Sequence, residues 1–344
     1  MHQLFEEFIT NANIGVLLLV VAISIAVLGV SADVLVDNAV KISIKTGLPK
    51  IIVGATIVSI GTTFPEAVVS VMAAMGGQPD FALGNAVGSI ICDTGLILGI
   101  ACLMLPLKLD MALVNRQGWV QFGTAVLLVA LCLPYGQFDE LFTQKAFLSQ
   151  WSGILLVILL GVYLVWSVRS ARLGTPDCEI DATADDATAG ISMWRCLGIL
   201  TVACAFVILS SIGLIESTKV LALRAGVSNA VIAATVVALG TSLPELVTAV
   251  TAVRKGHGEL AIGNVIGADI LNVLFVAGLA AAVTPDGLFA DRIFFRLQFP
   301  AMLFILFCFR IGIQTSSNGY LGRRTGFLLL GTYIIYISIT ITNL

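Results

Sequence analysis

Four carboxylates stand where a chain this apolar leaves little room for charge. Glu66, Asp93, Glu245 and Asp269 each lie between runs of Ile, Leu, Val and Ala, with no Lys or Arg close enough in sequence to suggest a partner. An ionisable side chain at the centre of a bilayer costs at least ~2.5–3.5 kcal/mol, so such residues are kept for ion and substrate pathways. Uncompensated carboxylates among hydroxyl and amide oxygens suit a hard cation such as Na⁺ or Ca²⁺. The only histidines are the terminal His2 and His257 in a turn, and most cysteines sit singly inside apolar runs. That donor set argues against Zn²⁺ or Cu.

The neighbours of these carboxylates fit the same chemistry. In Gly61–Glu66, GTTFPE, Pro65 removes an amide donor one residue before Glu66 and obstructs regular helix. Carbonyls near Ser59–Gly61 are then free to face a cation beside Thr62 and Thr63. GTSLPE, ending at Glu245, offers Thr241 and Ser242 in the same way. Downstream, Asn85, Ser89 and Asp93 recur at four-residue intervals and share one helix face, with Asn264, Ala268 and Asn272 on the equivalent stripe. Asp269 is offset from that stripe by about 100°, and lines either the cavity edge or a helix interface. Ser59, Ser70 and Thr94 are expected to bond back to their own backbone. Gly84/Gly88 and Gly263/Gly267 are expected to be close-packing pairs. The competing account of Glu66 and Glu245 is a buried polar network with a purely structural role.

The elements that position these residues must be membrane helices. The 344 residues are 58% hydrophobic and 11% charged, with mean hydropathy +1.03, against about 25% charge in soluble domains. Runs such as 14–28, 120–133 and 153–165 are apolar on every face, and ~20 such residues cross a bilayer as a helix. A lipid-exposed backbone leaves only helices or a closed barrel, and nothing here alternates with period two. The fold class expected is therefore all-α and integral to the membrane. Ten spans are predicted, near 13–32, 51–75, 81–105, 118–135, 150–168, 195–216, 230–254, 259–283, 293–313 and 324–342. No removable signal peptide is expected, because the first apolar run is too long and lacks a basic leader. Seven cysteines, without loop spacing, argue against a disulfide framework.

An internal repeat organises the spans. Residues 55–101 align without gaps on 234–280, with 18 of 47 positions identical, and Gly, Asn, Pro and Glu stay in register. Five spans per half predict halves of opposite orientation, the inverted-repeat plan of many secondary transporters. The predicted division is 1–168 for the first repeat, 169–194 for a linker and 195–344 for the second repeat. Basic residues divide five against thirteen between the two sets of loops, which predicts both termini outside and the linker in the cytoplasm. The linker carries Asp177, Glu179, Asp181, Asp185 and Asp186, and is expected to be a disordered acidic connection without an EF-hand loop.

These motifs closely resemble the α-repeats of the cation/Ca²⁺ exchanger superfamily, in its bacterial and archaeal sodium/calcium exchanger branch. The resemblance rests on GTTFPE…GNAVGS and GTSLPE…GNVIGA, with GVSADVLVDNAVKIS similar to that family's first helix. It implies ten helices in inverted repeats, exchanging Na⁺ or H⁺ for Ca²⁺ by alternating access. It implies cation ligands at Glu66 and Glu245, at Thr62 and Thr241 four residues earlier, and at Ser89. The chain departs from the family at Ala268, which has no hydroxyl, and at Asp93 and Asn272, whose order is reversed. It also carries Ile90 and Asp269 where the family commonly has Asn.

The function expected is a multi-pass inner-membrane antiporter, not an enzyme. Ca²⁺ and Na⁺ are its substrates, with no cofactor, no nucleic acid and no obligate protein partner. Three or four carboxylates exceed what one Ca²⁺ neutralises, so Asp93 or Asp269 is expected to hold a proton when Ca²⁺ is bound. The alternatives are a Ca²⁺/H⁺ antiporter using the same carboxylates and, remotely, an intramembrane aspartyl hydrolase, which would need no duplicated Pro–Glu motif. A passive channel fits less well, because close carboxylates should hold a divalent too tightly for fast conduction.

Overall fold

The computed structural model describes residues 9–135, 145–173, 192–226, 238–316 and 319–342. The chain is helical nearly throughout. α1 (Ile14–Thr46) starts where the Asn13 side chain accepts a hydrogen bond from the Val16 amide, and stops at Gly47, whose φ is 65°. α2 (Lys50–Met75) and α3 (Pro79–Met104) form a hairpin. β1 (Leu107–Lys108), α4 (Met111–Cys132), β2 (Ala146–Leu148) and α5 (Gln150–Leu173) complete the first half.

The second half follows the same order. It comprises α6 (Met193–Arg224), the short α7 (Ala238–Thr241), α8 (Leu243–Arg254), α9 (Gly258–Val283), β3 (Leu288–Ala290), α10 (Phe294–Gln314), β4 (Tyr320–Leu321) and α11 (Arg323–Thr342). α1 and α6 pack along one another and turn Leu18, Leu19, Val202 and Leu209 outward, as helices in lipid do. α2, α3, α8 and α9 form the centre, with α9 the most buried of the spans.

Among the described residues, eight helices are long and apolar enough to cross a membrane, against the ten predicted. The two remaining predicted spans fall on helices that do not meet that measure. α4 is a 22-residue helix whose first half carries Asn115, Arg116, Gln117 and Gln121, which dilutes its hydropathy. The span predicted at 230–254 is broken at Ser242 between α7 and α8, and its residues 230–237 lie outside the described residues. The acidic residues of the predicted linker also lie outside them.

The short strands were not foreseen. β1 pairs antiparallel with β4, and β2 with β3, so each half contributes one strand to each ladder. A Cβ on Gly258, at the start of α9, would stand 3.1 Å from the Leu107 side chain. β1 therefore sits at the N-terminal end of α9, while β3 follows its C-terminal end. β1 and β3 follow equivalent helices, α3 and α9, yet lie at opposite ends of the bundle.

Charged contacts tie the β1 end together. Lys255 at the end of α8 reaches Asp37 of α1 at 2.7 Å and Asp33 at 3.5 Å. His257, just ahead of α9, lies with Nδ1 3.4 Å from Lys50 Nζ. Partial burial, then the nearby Lys50 ammonium, hold the His257 imidazole below its ordinary value of 6.5. A group with a lowered pKa contributes stability above its unfolded pKa that is lost as pH falls. The purified protein is thus expected to lose thermal stability as pH falls below about 6.5, and His257→Gln to flatten that part of the profile. An unchanged slope in the variant would count against this role.

Candidate cation site

Helix irregularity coincides with the motif residues. α2 and α3 are each interrupted by π-helical turns, at Gly54–Val58 and Asp93–Ile97, and α9 at Asn272–Ala277. The latter two open at Asp93 and Asn272, the residues that the repeat aligns. Such turns widen a helix locally and are frequent at functional sites. Pro65 does not break α2 as predicted. Ser59–Met75 runs through it as α-helix, and the π-helical turn of α2 lies upstream, at Gly54–Val58. In the second copy the break is real, at Ser242, with Pro244 in the first turn of α8.

The structure brings the four carboxylates to one buried place. Glu66, Asp93, Glu245 and Asp269 are each 1% exposed. Glu66 lies within electrostatic reach of Glu245 and Asp93, and Asp93 within reach of Glu245 and Asp269. Thr63 donates from Oγ1 to Glu245 Oε1 at 3.3 Å, joining the two motifs across the halves. Thr62 bonds back to the Val58 and Ser59 carbonyls, each at 3.4 Å, and approaches Asn264 Oδ1 at 3.5 Å. Ser242 stands beside Asp93. Ser89 and Asn272 are buried, and Thr241 is half-buried.

Among the described residues, many oxygens at this place have no hydrogen-bond partner. Glu66 Oε2, Glu245 Oε2, Asp269 Oδ1 and both carboxylate oxygens of Asp93 are buried without a hydrogen-bond partner. The Ser89 and Ser242 hydroxyls and Asn272 Oδ1 are in the same condition. A buried unsatisfied polar atom costs ~1–3 kcal/mol, more when charged, which makes this cluster the candidate place for a bound cation. Among the described residues no three carboxylate, His or Cys side chains converge tightly enough to clasp a metal alone. The donor set is a mixed one of carboxylate, hydroxyl and amide oxygens, the kind that Ca²⁺ and Na⁺ accept.

Three expectations are adjusted. Ser59 does bond back, to the Thr56 carbonyl at 3.3 Å, but Thr94 donates instead to Asp269. Ser70, also expected to bond back to its own helix, accepts from Asn85 Nδ2 at 3.0 Å. Of the two alternatives for Asp269, the helix interface is seen: Oδ2 accepts from Thr94 of α3 and Gln121 of α4, while Oδ1 has no hydrogen-bond partner among the described residues. The residue missed in the sequence is Gln121 of α4, which donates to Asp269 and to Thr94 Oγ1. The available signal was the spacing of Gln117 and Gln121, four residues apart and so on one face of α4.

The two halves are packed unequally around the site. A Cβ on Gly263 would lie 2.2 Å from the Ile51 carbonyl oxygen, and one on Gly267 2.5 Å from Ala55 Cα. The α2–α9 crossing is sealed at backbone contact. The equivalent Gly84, Asn85 and Gly88 of α3 are half-buried, whereas Gly263, Asn264 and Gly267 are fully buried.

Comparison with known proteins gives the family and the fold. The family model described as sodium/calcium exchanger protein matches residues 16–169 and 196–342. The chain is 34% identical over 320 residues to the inner membrane protein YrbG of Escherichia coli (strain K12), covering 90% of this chain and 91% of that one. It is 28% identical to the sodium/calcium exchanger MaX1 of Methanosarcina acetivorans, over 93% and 97% of the two chains. A solved structure of the sodium-calcium exchanger NCX_Mj superposes with a TM-score of 0.78 at 23% identity, over 95% of this chain and all of that one. The buried carboxylates, the helical membrane fold and these matches lead to one assignment: the chain belongs to the sodium/calcium exchanger protein family, as a membrane transporter and not an enzyme.

Proposed function

We propose that this chain is a secondary antiporter that exchanges Na⁺ for Ca²⁺ by alternating access, with the cations held at a midplane site. The observation that carries this is the cluster of buried, unpartnered oxygens on Glu66, Glu245, Asp93, Asp269, Ser89, Ser242 and Asn272. Thr62, Thr63 and Thr241 complete the set. Thr63 steers Glu245, and Thr62 and Thr241 stand at matching places in the two motifs. Ca²⁺ would draw on six to eight oxygens, and several Na⁺ would offer the charge to match all the carboxylates. Mutually exclusive occupancy then gives exchange.

The scaffold of this reading is ten spans in two inverted repeats, 1–168 and 195–344, joined by 169–194. The exchange of strands between halves supports inversion, since β1 and β3 follow equivalent helices at opposite ends of the bundle. The basic residues support termini outside and the linker in the cytoplasm. With that orientation the sealed α2–α9 crossing lies toward the cytoplasm, and the less tightly buried α3 face at Gly84 and Gly88 is the side we assign to outward opening. The opposite state would follow if the crossing parted while the α3 face closed.

A proton is the second candidate for the counter-ion. It is favoured by Asp93 and Asp269, which raise the carboxylate count beyond what one Ca²⁺ neutralises. Radioactive Ca²⁺ flux into proteoliposomes under imposed Na⁺, K⁺ or H⁺ gradients decides between them. Na⁺-driven uptake is expected. Uptake driven by a proton gradient without Na⁺ would replace the Na⁺ reading, and no Ca²⁺ movement under any gradient would end it.

A further inference from the structure

Asp269 and Gln121 meet across elements that the motifs do not connect. Asp269 lies on α9, Thr94 in the irregular turn of α3 and Gln121 on α4, and all are buried. Gln121 Nε2 has two protons to donate. One goes to Asp269 Oδ2, and the other to Thr94 Oγ1 at 3.2 Å. The Thr94 hydroxyl in turn donates to the same Oδ2. The three groups close a ring in which Oδ2 accepts twice, while Oδ1 is buried without a partner.

A second anchor fixes Gln121 itself. One turn earlier on α4, Gln117 Nε2 donates to Ser167 Oγ of α5 at 2.8 Å. Tyr163 Oη, also on α5, lies 3.2 Å from Gln117 Oε1 and 3.3 Å from the Ala55 carbonyl in the irregular turn of α2. α4 thus presents two amides to the centre, one braced against α2 and α5, and the other against Asp269. Glutamine in a membrane helix is expensive unless every polar atom finds a use, and here both side chains are engaged.

We propose that Gln121 is a positioning residue of the cation site and sets the ion selectivity through Asp269. With Oδ2 held by Gln121 and Thr94, Asp269 has a single free oxygen and binds a cation only in monodentate fashion. Ca²⁺ accepts bidentate carboxylates readily, and Na⁺ carries half its charge. Releasing Oδ2 therefore changes the two affinities unequally, in favour of Ca²⁺. This inference rests on the exchange reading above.

The test uses the full-length protein in detergent and measures half-saturation for Ca²⁺ and for competing Na⁺ by radioactive Ca²⁺ binding. Gln121→Met keeps length and removes both donors. It is expected to shift the ratio of Na⁺ to Ca²⁺ half-saturation at least fivefold, whereas a structural role alone would lower the bound fraction and leave the ratio unmoved. In an Asp269→Asn background the same substitution is expected to shift the ratio less than twofold, since the carboxylate it acts through is gone. If Gln121→Met does not yield monodisperse protein, Thr94→Val removes the other arm of the ring and is expected to move the ratio in the same direction. An unmoved ratio, or an equal shift with and without Asp269, overturns the proposal. Failure of the wild-type protein to bind Ca²⁺ at all would instead overturn the exchange reading on which it rests.

Discussion

Glu66→Gln and Glu245→Gln are each expected to weaken Ca²⁺ binding on the order of 100-fold, the scale on which ligand charge tunes Ca²⁺ sites, and to abolish Na⁺-driven Ca²⁺ flux. The substitution keeps the side chain's shape and hydrogen-bonding length, so the helices should stay folded. What changes is the charge, together with the donor that an amide nitrogen can aim at the cation. Both glutamates are buried to 1% exposure, with an oxygen that nothing else satisfies. Removing the charge relieves their mutual repulsion, so thermal stability without Ca²⁺ is expected to hold or rise. Retained Na⁺-driven flux in either variant, with protein that elutes as a single species, would refute the assignment. Thr63→Val is the graded companion. It removes the 3.3 Å bond to Glu245, costing about 1 kcal/mol, and should weaken binding only about fivefold.

How much of this was legible in the sequence follows from what each residue depends on. The membrane fold, the repeat and the four carboxylates are local facts of composition and register, and the structure gathers those carboxylates as the motifs implied. The partners of Asp269 are not local. Thr94 lies 175 positions away and Gln121 148, so no periodicity within one helix reports them. Thr94 was expected to bond back to its own helix, the usual fate of a hydroxyl in an apolar span. The irregular turn that begins at Asp93 points it elsewhere. Pro65 shows the converse error. Loss of one amide donor suggested a break, yet Ser59–Met75 continues through Pro65 as α-helix. The helix through Pro65 also meets distant neighbours, Asn264 of α9 3.5 Å from Thr62 and Glu245 of α8 3.3 Å from Thr63, and the motif itself does not report those contacts.

Inequality between the repeats yields the second large effect. Gly267→Ala is expected to be poorly tolerated and Gly88→Ala to be mild, although the repeat makes the two positions equivalent. An alanine Cβ at 267 would meet Ala55 Cα at 2.5 Å, the Ala55 carbonyl oxygen at 2.6 Å and Ser59 Oγ at 2.6 Å. Two of these are backbone atoms, which cannot rotate away, so α2 and α9 would have to separate. Overpacking of this kind costs about 1–3 kcal/mol. Gly88 is half-buried, and among the described residues nothing lies within 4 Å of a Cβ built there. Alanine at that site gains up to about 1 kcal/mol of helix propensity. Thermal unfolding of the detergent-solubilised protein is expected to fall for Gly267→Ala and to hold or rise for Gly88→Ala. If exchange requires the sealed α2–α9 crossing as one of two states, Gly267→Ala also removes that state, so flux should fall further than stability alone explains. Equal tolerance at 88 and 267, in both stability and flux, would mean that the tight crossing is not a required state of the transporter.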